Sequence, residues 1–266
     1  MRTMPNKLAI VTGASTGIGF ELATLAAQDG YDIVVVADEP LIEAAAADFR
    51  QFGTEVTAVE ADLATLEGVD TLLAAANGRP IDLLCANAGR GLGHAFLEQE
   101  VADWRRVIDT NVTGTVYLLQ KVLREMVARN EGKVLVTGSI AGYIPGSFQA
   151  VYNSTKSFID YFCDAIRNEL KDVDGVQITT LKPGPVDTEF FARGDMLDTS
   201  VGDPESNQRR DPKLVAKDGW NALMSGKDSI FSGLSTKVQG ALSGVIPASV
   251  LAERHRAMAE PGTAKD

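Results

Sequence analysis

The sequence contains little cysteine and little histidine, and each shortage excludes a class of protein. Only two of its 266 residues are cysteines, Cys85 and Cys163, which excludes a small scaffold held together by disulfides. Both lie in apolar patterns, so we interpret them as small buried hydrophobic residues. The two histidines, His94 and His255, are far apart in the chain, and no cysteine–histidine cluster has the spacing of metal ligands. We therefore expect no metal.

Positive charge and long apolar runs are also scarce. The 25 lysines and arginines are outnumbered by 36 aspartates and glutamates, which gives a net charge of -11. Such a charge disfavours nucleic acid and anionic membrane surfaces as partners. No apolar stretch reaches the ~20 residues that span a bilayer, and the polar segment 1–7 does not resemble a signal peptide. We expect a cytoplasmic protein without a membrane partner.

Short apolar runs alternate with longer amphipathic stretches along the chain. The predicted strands cover 7–12, 32–37, 55–59, 81–86, 133–138 and 176–181, with a further short one at 229–232. The predicted helices cover 18–29, 40–52, 66–76, 100–130 and 150–172. This alternation is typical of βαβ units, so it predicts an α/β fold, a Rossmann-type doubly wound parallel sheet with helices on both faces. The carboxyl ends of the strands then share one edge of the sheet, where ligands bind.

Neither a linker nor a repeat divides the chain, so we expect residues 1–266 to form a single domain. The segment 188–212 is polar and aperiodic and follows a late strand, which indicates a mobile lid over a site. The segment 234–262 is weakly amphipathic, and the sequence assigns it no role.

A glycine-rich loop, 12–19, follows the first predicted strand and opens the first predicted helix. Glycines permit a tight turn and close approach of the backbone to a pyrophosphate, and the helix N-terminus favours its negative charge. The alternative is a strand-to-helix turn that holds no ligand. The predicted contacts of this loop with a dinucleotide are Gly13, Ser15, Thr16, Gly17, Ile18 and Gly19.

Polar residues follow the next strands at the same edge. Asp38 ends the second predicted strand and could accept hydrogen bonds from the adenosine ribose while repelling a 2′-phosphate, which favours NAD over NADP. Asp62, followed by Leu63, could hold the adenine amino group. Either aspartate could instead cap a helix or shape a turn. The segment Asn87-Ala88-Gly89 would let the cofactor pass close to the backbone, unless it is an ordinary turn at a strand end.

Tyr152 and Lys156 are spaced to share one face of a helix. A phenol is a poor base near pH 7, but a nearby ammonium favours the phenolate and lowers the tyrosine pKa. Ser139 closes the fifth predicted strand, where its hydroxyl could bind a substrate oxygen and stabilise developing charge. Chance spacing, a solvated lysine and a serine turn are the competing interpretations.

These motifs together resemble the short-chain dehydrogenase/reductase family, in its short single-domain branch. The matching residues run in the family's order from 7 to 188 and comprise the glycine loop, Asp62, Asn87-Ala88-Gly89, Asn111, Ser139, Tyr152, Lys156 and the hexapeptide Pro183-Gly184-Pro185-Val186-Asp187-Thr188. The resemblance implies a sheet of about seven strands and a catalytic tetrad of Asn111, Ser139, Tyr152 and Lys156.

The resemblance also implies how the remaining residues act. Lys156 would bind the nicotinamide ribose, and Asn111 would hold a water that links Lys156 to solvent. Pro183, Gly184, Val186 and Thr188 would contact the nicotinamide and fix which ring face takes part in hydride transfer. Asn111 could instead be an ordinary polar helix residue.

The expected function is an NAD(H)-dependent oxidoreductase that interconverts an alcohol and a ketone or aldehyde. One alternative is an NADPH-dependent reductase of 3-oxoacyl thioesters, and another is a dinucleotide-binding regulatory protein without catalysis. The resemblance implies a homo-oligomer, a dimer or tetramer, formed through helices 100–130 and 150–172. We expect a largely apolar substrate pocket, lined by Gly91, Leu92, Gly93, His94, Ala95, Phe96, Phe190, Phe191 and Met196.

Overall fold

The computed structural model describes residues 6–205 and 209–264. One sheet holds seven strands: β1 (Leu8–Thr12), β2 (Asp32–Ala37), β3 (Val56–Glu60), β4 (Ile81–Ala86), β5 (Gly132–Thr137), β6 (Val176–Pro183) and β7 (Ser229–Ser232). Their order is β3-β2-β1-β4-β5-β6-β7, and every neighbouring pair is parallel. The strand order reverses between β1 and β4, which is the switch point where α/β sheets bind ligands. The predicted doubly wound fold and all seven predicted strands are confirmed.

Helices cover both faces of this sheet. They are α1 (Gly17–Gln28), α2 (Leu41–Arg50), α3 (Leu66–Ala74), α4 (Val101–Ile108), α5 (Thr115–Arg129), α6 (Ala150–Glu169), α7 (Phe190–Arg193), α8 (Pro212–Met224), α9 (Leu234–Ser243) and α10 (Ala248–Ala259). None of the helices in 6–205 and 209–264 is long and apolar enough to cross a membrane. The same ranges hold no group of three or more His, Cys, Asp or Glu that could hold a metal ion.

The core lies in two layers because side chains alternate between the faces of a strand. On β1, Ala9 and Val11 join the layer under α1, α2 and α8, whereas Leu8 and Ile10 join the layer under α3, α5 and α6. The strand β2 is buried along its whole length, which explains its continuous apolar run. Each fully buried aliphatic side chain here stabilises the fold by about 1.5–3 kcal/mol.

The predicted helix over 100–130 is confirmed as one continuous helical run, in which a π-helical turn at Asp109–Gly114 joins α4 to α5. A Cβ built on Gly114 would lie 1.9 Å from the carbonyl oxygen of Leu63. Only glycine therefore fits where this turn meets the loop after β3. Asn111 lies in this turn and is buried. Such turns occur often at functional sites.

Three C-terminal helices were not predicted. The helix α8 begins with two signals that the sequence carries, since Asp211 accepts a hydrogen bond from the Lys213 N–H and Pro212 occupies the first turn. The helices α9 and α10 have no comparable side-chain cap, and their apolar residues are mostly left exposed.

The segment predicted to be a lid is partly regular. It contains α7, and Phe191, Met196 and Val201 form a small core with Ala259 of α10. Residues 206–208 of the predicted lid lie outside the described residues.

Candidate functional site

A cavity of about 710 Å³ opens at the carboxyl edge of the sheet, within the range of roughly 300–1,000 Å³ that is typical of ligand sites. It brings together nearly all of the predicted site residues, which are Gly13, Ser15, Thr16, Gly17, Ile18, Asp38, Asp62, Leu63, Asn87, Ala88, Gly89, Ser139, Tyr152, Lys156, Pro183, Gly184, Val186 and Thr188. Two predicted residues, Gly19 and Asn111, lie behind its wall.

The glycine loop has the backbone shape that an anion cradle needs. Gly13 and Gly17 have φ angles of 64° and 60°, which favour glycine. A Cβ on Gly19 would lie 2.0 Å from the Gly13 carbonyl oxygen, so Gly19 lets α1 start against the loop. The N-cap residue Thr16 makes no side-chain cap within the described chain. The first N–H groups of α1 therefore remain available to a negatively charged group.

Asp38 lies between two arginines that the sequence analysis missed. Its Oδ2 accepts from Arg90 at 3.0 Å and from Arg106 at 3.2 Å. Arg106 also pairs with Asp62 at 3.1 Å. Neither aspartate caps a helix, because Pro40 is the N-cap of α2 and Thr65 is the N-cap of α3. Arg90 directly follows the Asn87-Ala88-Gly89 segment and so could have been found from the sequence.

A second acidic residue joins the glycine loop to the segment after β6. The Ser15 hydroxyl donates to Glu39 at 2.5 Å. Arg193 of α7 donates to both carboxylate oxygens of the same glutamate, at 2.9 and 3.2 Å. Ser15 and Arg193, the two residues bonded to Glu39, both line the cavity.

Thr137 links the glycine loop to Lys156. Its carbonyl oxygen accepts from the Lys156 Nζ at 2.8 Å, and its hydroxyl donates to the Asn87 Oδ1 at 3.0 Å. The Asn87 amide in turn donates to the Thr12 carbonyl oxygen at 3.2 Å. These contacts hold the Asn87 side chain against the glycine loop. Lys156 is buried, so it is not a solvated helix lysine.

Burial changes the proton affinity of both residues of the Tyr152–Lys156 pair. Burial raises the pKa of Tyr152 to about 12, against the weaker effect of the neighbouring Ser139 hydroxyl. Burial also lowers the pKa of Lys156 to about 8. The expectation that Lys156 lowers the tyrosine pKa is therefore wrong for this structure. The ammonium is bonded to Thr137 and lies 5.9 Å from the Tyr152 ring centroid, so desolvation of the phenolate dominates.

Ser139 forms part of a turn as well as part of the cavity wall. Its hydroxyl oxygen accepts from the Ala141 N–H at 3.1 Å, and it caps a short 3-10 helix at Ile140–Tyr143. The interpretation of Ser139 as a turn residue is thus correct, and the same residue also lines the cavity. The hydroxyl hydrogen stays available for a ligand oxygen.

Asn111 connects two segments that flank Lys156. Its Oδ1 accepts from the Arg90 N–H at 2.8 Å, and its Nδ2 donates to the Arg90 carbonyl oxygen and to the Thr155 hydroxyl at 2.9 and 3.0 Å. A Cβ on Gly89 would lie 3.3 Å from the Asn111 Oδ1 and 3.4 Å from the Lys156 Nζ. Because Gly89 has no side chain, the Asn111 Oδ1 and the Lys156 Nζ can both lie close to its backbone.

A buried carboxylate behind Lys156 was also missed. Asp160 lies one turn further along α6 and is 4% exposed, and neither of its oxygens has a hydrogen-bond partner within the described residues. Burial raises its pKa to about 6, opposed by the positive charges of Lys182 and Lys156 and aided by the negative charge of Asp164. Lys182 is buried too and donates to the Tyr143 hydroxyl.

The predicted substrate pocket is only partly correct. Of the nine predicted residues, only Gly91, Phe190 and Phe191 line the cavity. Phe190 packs against Tyr152, with 5.1 Å between ring centroids. Met196 is fully buried in the small core beneath the segment, and His94 is bonded to Asp195 at 2.8 Å. The other predicted residues that do not line it are Leu92, Gly93, Ala95 and Phe96.

The C-terminal helices supply wall residues that no sequence motif indicated. The segment from the end of β7 into α9 contributes Gly233, Leu234, Thr236 and Gln239, and α10 contributes His255 and Met258. The His255 Nδ1 is 2.9 Å from the Ser147 carbonyl oxygen.

Fold and site together define an α/β protein with a dinucleotide-type glycine loop beside a Ser–Tyr–Lys cluster. The chain belongs to the short chain dehydrogenase family, whose sequence profile matches residues 7–195. The protein is therefore a member of an oxidoreductase family, as the motifs predicted.

Three relatives illustrate the likeness. An uncharacterized oxidoreductase of Staphylococcus epidermidis is 33% identical over 192 residues, which are 71% of this chain and 81% of the relative. A short chain dehydrogenase/reductase from Burkholderia phymatum in complex with NAD has a TM-score of 0.81 at 22% identity, covering 91% of this chain and 94% of that one. One from Sphingobium yanoikuyae in complex with NADPH has a TM-score of 0.79 at 24% identity, covering 91% and 97%. These two structures show the likeness of fold alone.

Proposed function

We propose that this protein is an NAD(H)-dependent oxidoreductase that interconverts an alcohol and a ketone or aldehyde. The observation that carries the proposal is one shared cavity. The glycine loop, Asp38 and the side chains of Ser139, Tyr152 and Lys156 all line it. A dinucleotide that binds along the strand ends, starting at Asp38, would therefore reach the Ser139 hydroxyl, the Tyr152 phenol and the Lys156 ammonium.

The residues fit a nicotinamide dinucleotide at both ends. Gly13, Gly17 and the start of α1 suit the pyrophosphate, and Lys156 suits the nicotinamide ribose. Pro183, Gly184, Val186 and Thr188 line the cavity on the nicotinamide side. When bound, the dinucleotide would accept a hydride from an alcohol carbon, or return one to a carbonyl carbon.

In this proposal the proton moves between the substrate oxygen and Tyr152, separately from the hydride. Ser139 donates a hydrogen bond to the substrate oxygen and stabilises its charge. During oxidation the Tyr152 phenolate takes the hydroxyl proton and becomes the phenol, and during reduction the phenol gives the proton back. Because burial raises the pKa of Tyr152 to about 12 and lowers that of Lys156 to about 8, the phenol is the proton donor that carbonyl reduction requires. Asn111 holds the loop that carries Gly89 and Arg90 against Lys156.

A preference for NAD(H) is supported by the geometry around Asp38. Both arginine contacts fall on the Oδ2 oxygen, so Oδ1 remains an acceptor for a ribose hydroxyl. Asp62 and Glu39 add negative charge nearby, which disfavours a 2′-phosphate.

The arginines at the same place favour a second candidate function. Arg90 and Arg106 could bind a 2′-phosphate if Asp38 turned away, which suits an NADPH-dependent reductase of 3-oxoacyl thioesters. Assays with NADPH and a 3-oxoacyl thioester distinguish it, because the first proposal predicts a rate well below that of the best alcohol with NAD+.

A screen of NAD+ reduction over alcohols of varied size tests the main proposal, with the same panel and NADP+ as the control. We expect turnover with at least one class of alcohol and a lower KM for NAD+ than for NADP+. Tighter binding of NADPH than of NADH would refute the cofactor assignment, and absence of turnover with every alcohol and every ketone would refute the reaction.

We also propose that residues 188–212 close over the bound cofactor and that the whole chain acts as one domain. Phe190 already packs on Tyr152, and Arg193 already reaches Glu39. Protease sensitivity of this segment that is equal with and without NADH would contradict the closure.

A homo-oligomer through α6 is a further part of the proposal. Phe158 and Tyr161 of α6 are 47% and 76% exposed, and an apolar surface of this kind suits a partner subunit. Light scattering should give a dimer or tetramer for the wild type and smaller species for Tyr161→Glu. A monomeric wild type would contradict this.

A further inference from the structure

A second cavity of about 630 Å³ lies between α9 and α10. Its wall is largely apolar and is formed by Ile144, Leu234, Val238, Leu242, Leu251 and Met258. We call this cavity the C-terminal groove. Apart from Ile144, its lining residues lie beyond the family match, which ends at residue 195.

The groove continues directly from the candidate active site. Ile144, Leu234 and Met258 line both cavities, as do the polar residues at the junction, Gln239 and His255. Ile144 follows the short helix that Ser139 caps. A molecule with its oxygen at Ser139 and Tyr152 can therefore extend past Ile144 into the groove.

Exposure of the groove's residues shows that residues 6–205 and 209–264 do not fill it. Leu234, Val238 and Leu242 of α9 are 79%, 51% and 47% exposed. Their spacing of four residues places them on one face of the helix. A contiguous apolar surface of this kind marks a binding site more often than chance exposure does.

Of the eleven residues that line the groove, four are polar: Ser235, Gln239, Arg254 and His255. The His255 Nδ1 is already held by the Ser147 carbonyl oxygen, and burial lowers the pKa of this histidine, which favours its neutral form. Arg254 lies at the rim and is exposed. A charged or heavily hydroxylated substituent would lose its hydration here with few partners to replace it.

We propose that the C-terminal groove binds a large apolar group of the substrate. The substrate is then a lipophilic alcohol or ketone whose oxygen lies at Ser139 and Tyr152 and whose alkyl or ring body lies against α9 and α10. The inference rests on the proposed function for the position of the oxygen. The groove is continuous with the active-site cavity, which favours the substrate as its occupant.

A series of secondary alcohols from butan-2-ol to decan-2-ol tests this. The quantity measured is kcat/KM for each alcohol at saturating NAD+. Each methylene that enters the groove should raise kcat/KM by about fourfold, the factor that corresponds to burying one CH₂. In the wild type, kcat/KM for decan-2-ol should therefore be many times that for butan-2-ol.

Two valine variants provide the matched comparison. Val238→Glu puts a charge in the groove, and the ratio of decan-2-ol to butan-2-ol should fall more than tenfold. Val250→Glu makes the same change at a 42% exposed site on α10, and Val250 does not line the groove, so this control should keep the wild-type ratio. Val238→Thr retains the side-chain shape and should lower the ratio to a smaller extent, which covers the case that the glutamate variant does not fold.

A binding measurement separates failure of this inference from failure of the proposed function. If no alcohol is oxidised, displacement of the fluorescent probe anilinonaphthalene sulfonate still reports on the groove. Decan-2-ol should displace the probe from the wild type at a far lower concentration than butan-2-ol, and Val238→Glu should remove that difference.

Two results would overturn the inference. One is a kcat/KM for decan-2-ol that nearly equals that for butan-2-ol in the wild type. A kcat/KM ratio in Val238→Glu that equals the wild-type ratio, together with unchanged probe displacement, would have the same meaning. The other is evidence that the exposed apolar face of α9 binds a partner other than the substrate. Loss of binding to phosphatidylcholine vesicles, or loss of self-association, in Val238→Glu with an unchanged alcohol ratio would identify a membrane surface or a second copy of the chain instead.

Discussion

Arg193 of α7 donates to both carboxylate oxygens of Glu39, at 2.9 and 3.2 Å. The two residues are 154 positions apart in the chain. Glu39 follows β2 and also accepts from Ser15 of the glycine loop. The ion pair therefore ties the segment after β6 to the loop that is proposed to hold the cofactor.

Breaking this ion pair should loosen the segment after β6. The side chains of Arg193 and Glu39 are 42% and 28% exposed, so the pair contributes only about 0.2–1 kcal/mol in water. Arg193→Ala should speed chymotryptic cleavage at Phe190 and Phe191 by roughly 1.4- to fivefold, the factor that this energy allows. Raising the salt concentration should speed cleavage of the wild type toward the rate of the variant.

Lys7→Ala is the control for that experiment. It breaks the exposed ion pair between Lys7 and Glu131 at the opposite end of the sheet. This variant should show the wild-type cleavage rate. Equal rates for Arg193→Ala and the wild type would mean that the ion pair does not restrain the segment.

Asp38 should set the choice between NADH and NADPH. In Asp38→Ala, the ribose loses an acceptor, and Arg90 and Arg106 lose the carboxylate that holds them. The ratio of Kd for NADPH to Kd for NADH should fall at least tenfold, or by about 1.4 kcal/mol of relative binding free energy. Titration of protein fluorescence with each cofactor measures it.

Glu60→Ala removes a different exposed carboxylate, at the end of β3, and should leave the ratio near its wild-type value. A ratio that is equally unchanged in Asp38→Ala would assign the cofactor preference to other residues.

Asp160 should make the protein less stable as the pH rises. Its pKa is raised from 3.8 to about 6 in the fold, so the folded state binds this proton more tightly than the unfolded state. The resulting stability is fully present below pH 3.8 and is lost as the pH passes through about 6. The group accounts for at most about 3 kcal/mol over this window.

Asp160→Asn cannot titrate, so its stability relative to the wild type should increase between pH 4 and pH 7. Urea unfolding at several pH values measures this. Glu169→Gln, which changes an exposed carboxylate at the end of α6 that does not act on Asp160, should give a curve parallel to that of the wild type. Parallel curves for Asp160→Asn as well would contradict the account of this buried carboxylate.

Local sequence patterns predicted the strands and the glycine loop because both depend on short-range physics. A run such as residues 33–36 is apolar because both faces of β2 are covered. The glycines of the loop adopt backbone angles that other residues avoid. Ser139 could be placed at a strand end and Tyr152 and Lys156 on one face of a helix, and the family resemblance assigned the three to one site.

Features that depend on contacts between distant segments could not be predicted. Arg106 and Arg193 are ordinary helix residues in the sequence, and only the fold brings them to Asp38 and Glu39. The π-helical turn depends on the approach of Gly114 to the loop after β3. The raised pKa of Tyr152 depends on burial, which neighbours in the sequence do not reveal.

The central claim is that the Tyr152 hydroxyl carries the proton in an NAD(H)-dependent interconversion of alcohol and carbonyl. Tyr152→Phe removes only that hydroxyl and keeps the ring that packs against Phe190. Tyr117→Phe is the matched control, since it removes a hydroxyl that donates to Asp70 at the surface.

The decisive measurement is kcat for the best alcohol with NAD+ in these two variants, with NADH binding measured alongside. For Tyr152→Phe we expect kcat to fall about 100- to 10,000-fold, the usual contribution of a general acid–base, while NADH still binds and Tyr117→Phe stays active. Wild-type kcat in Tyr152→Phe would contradict it.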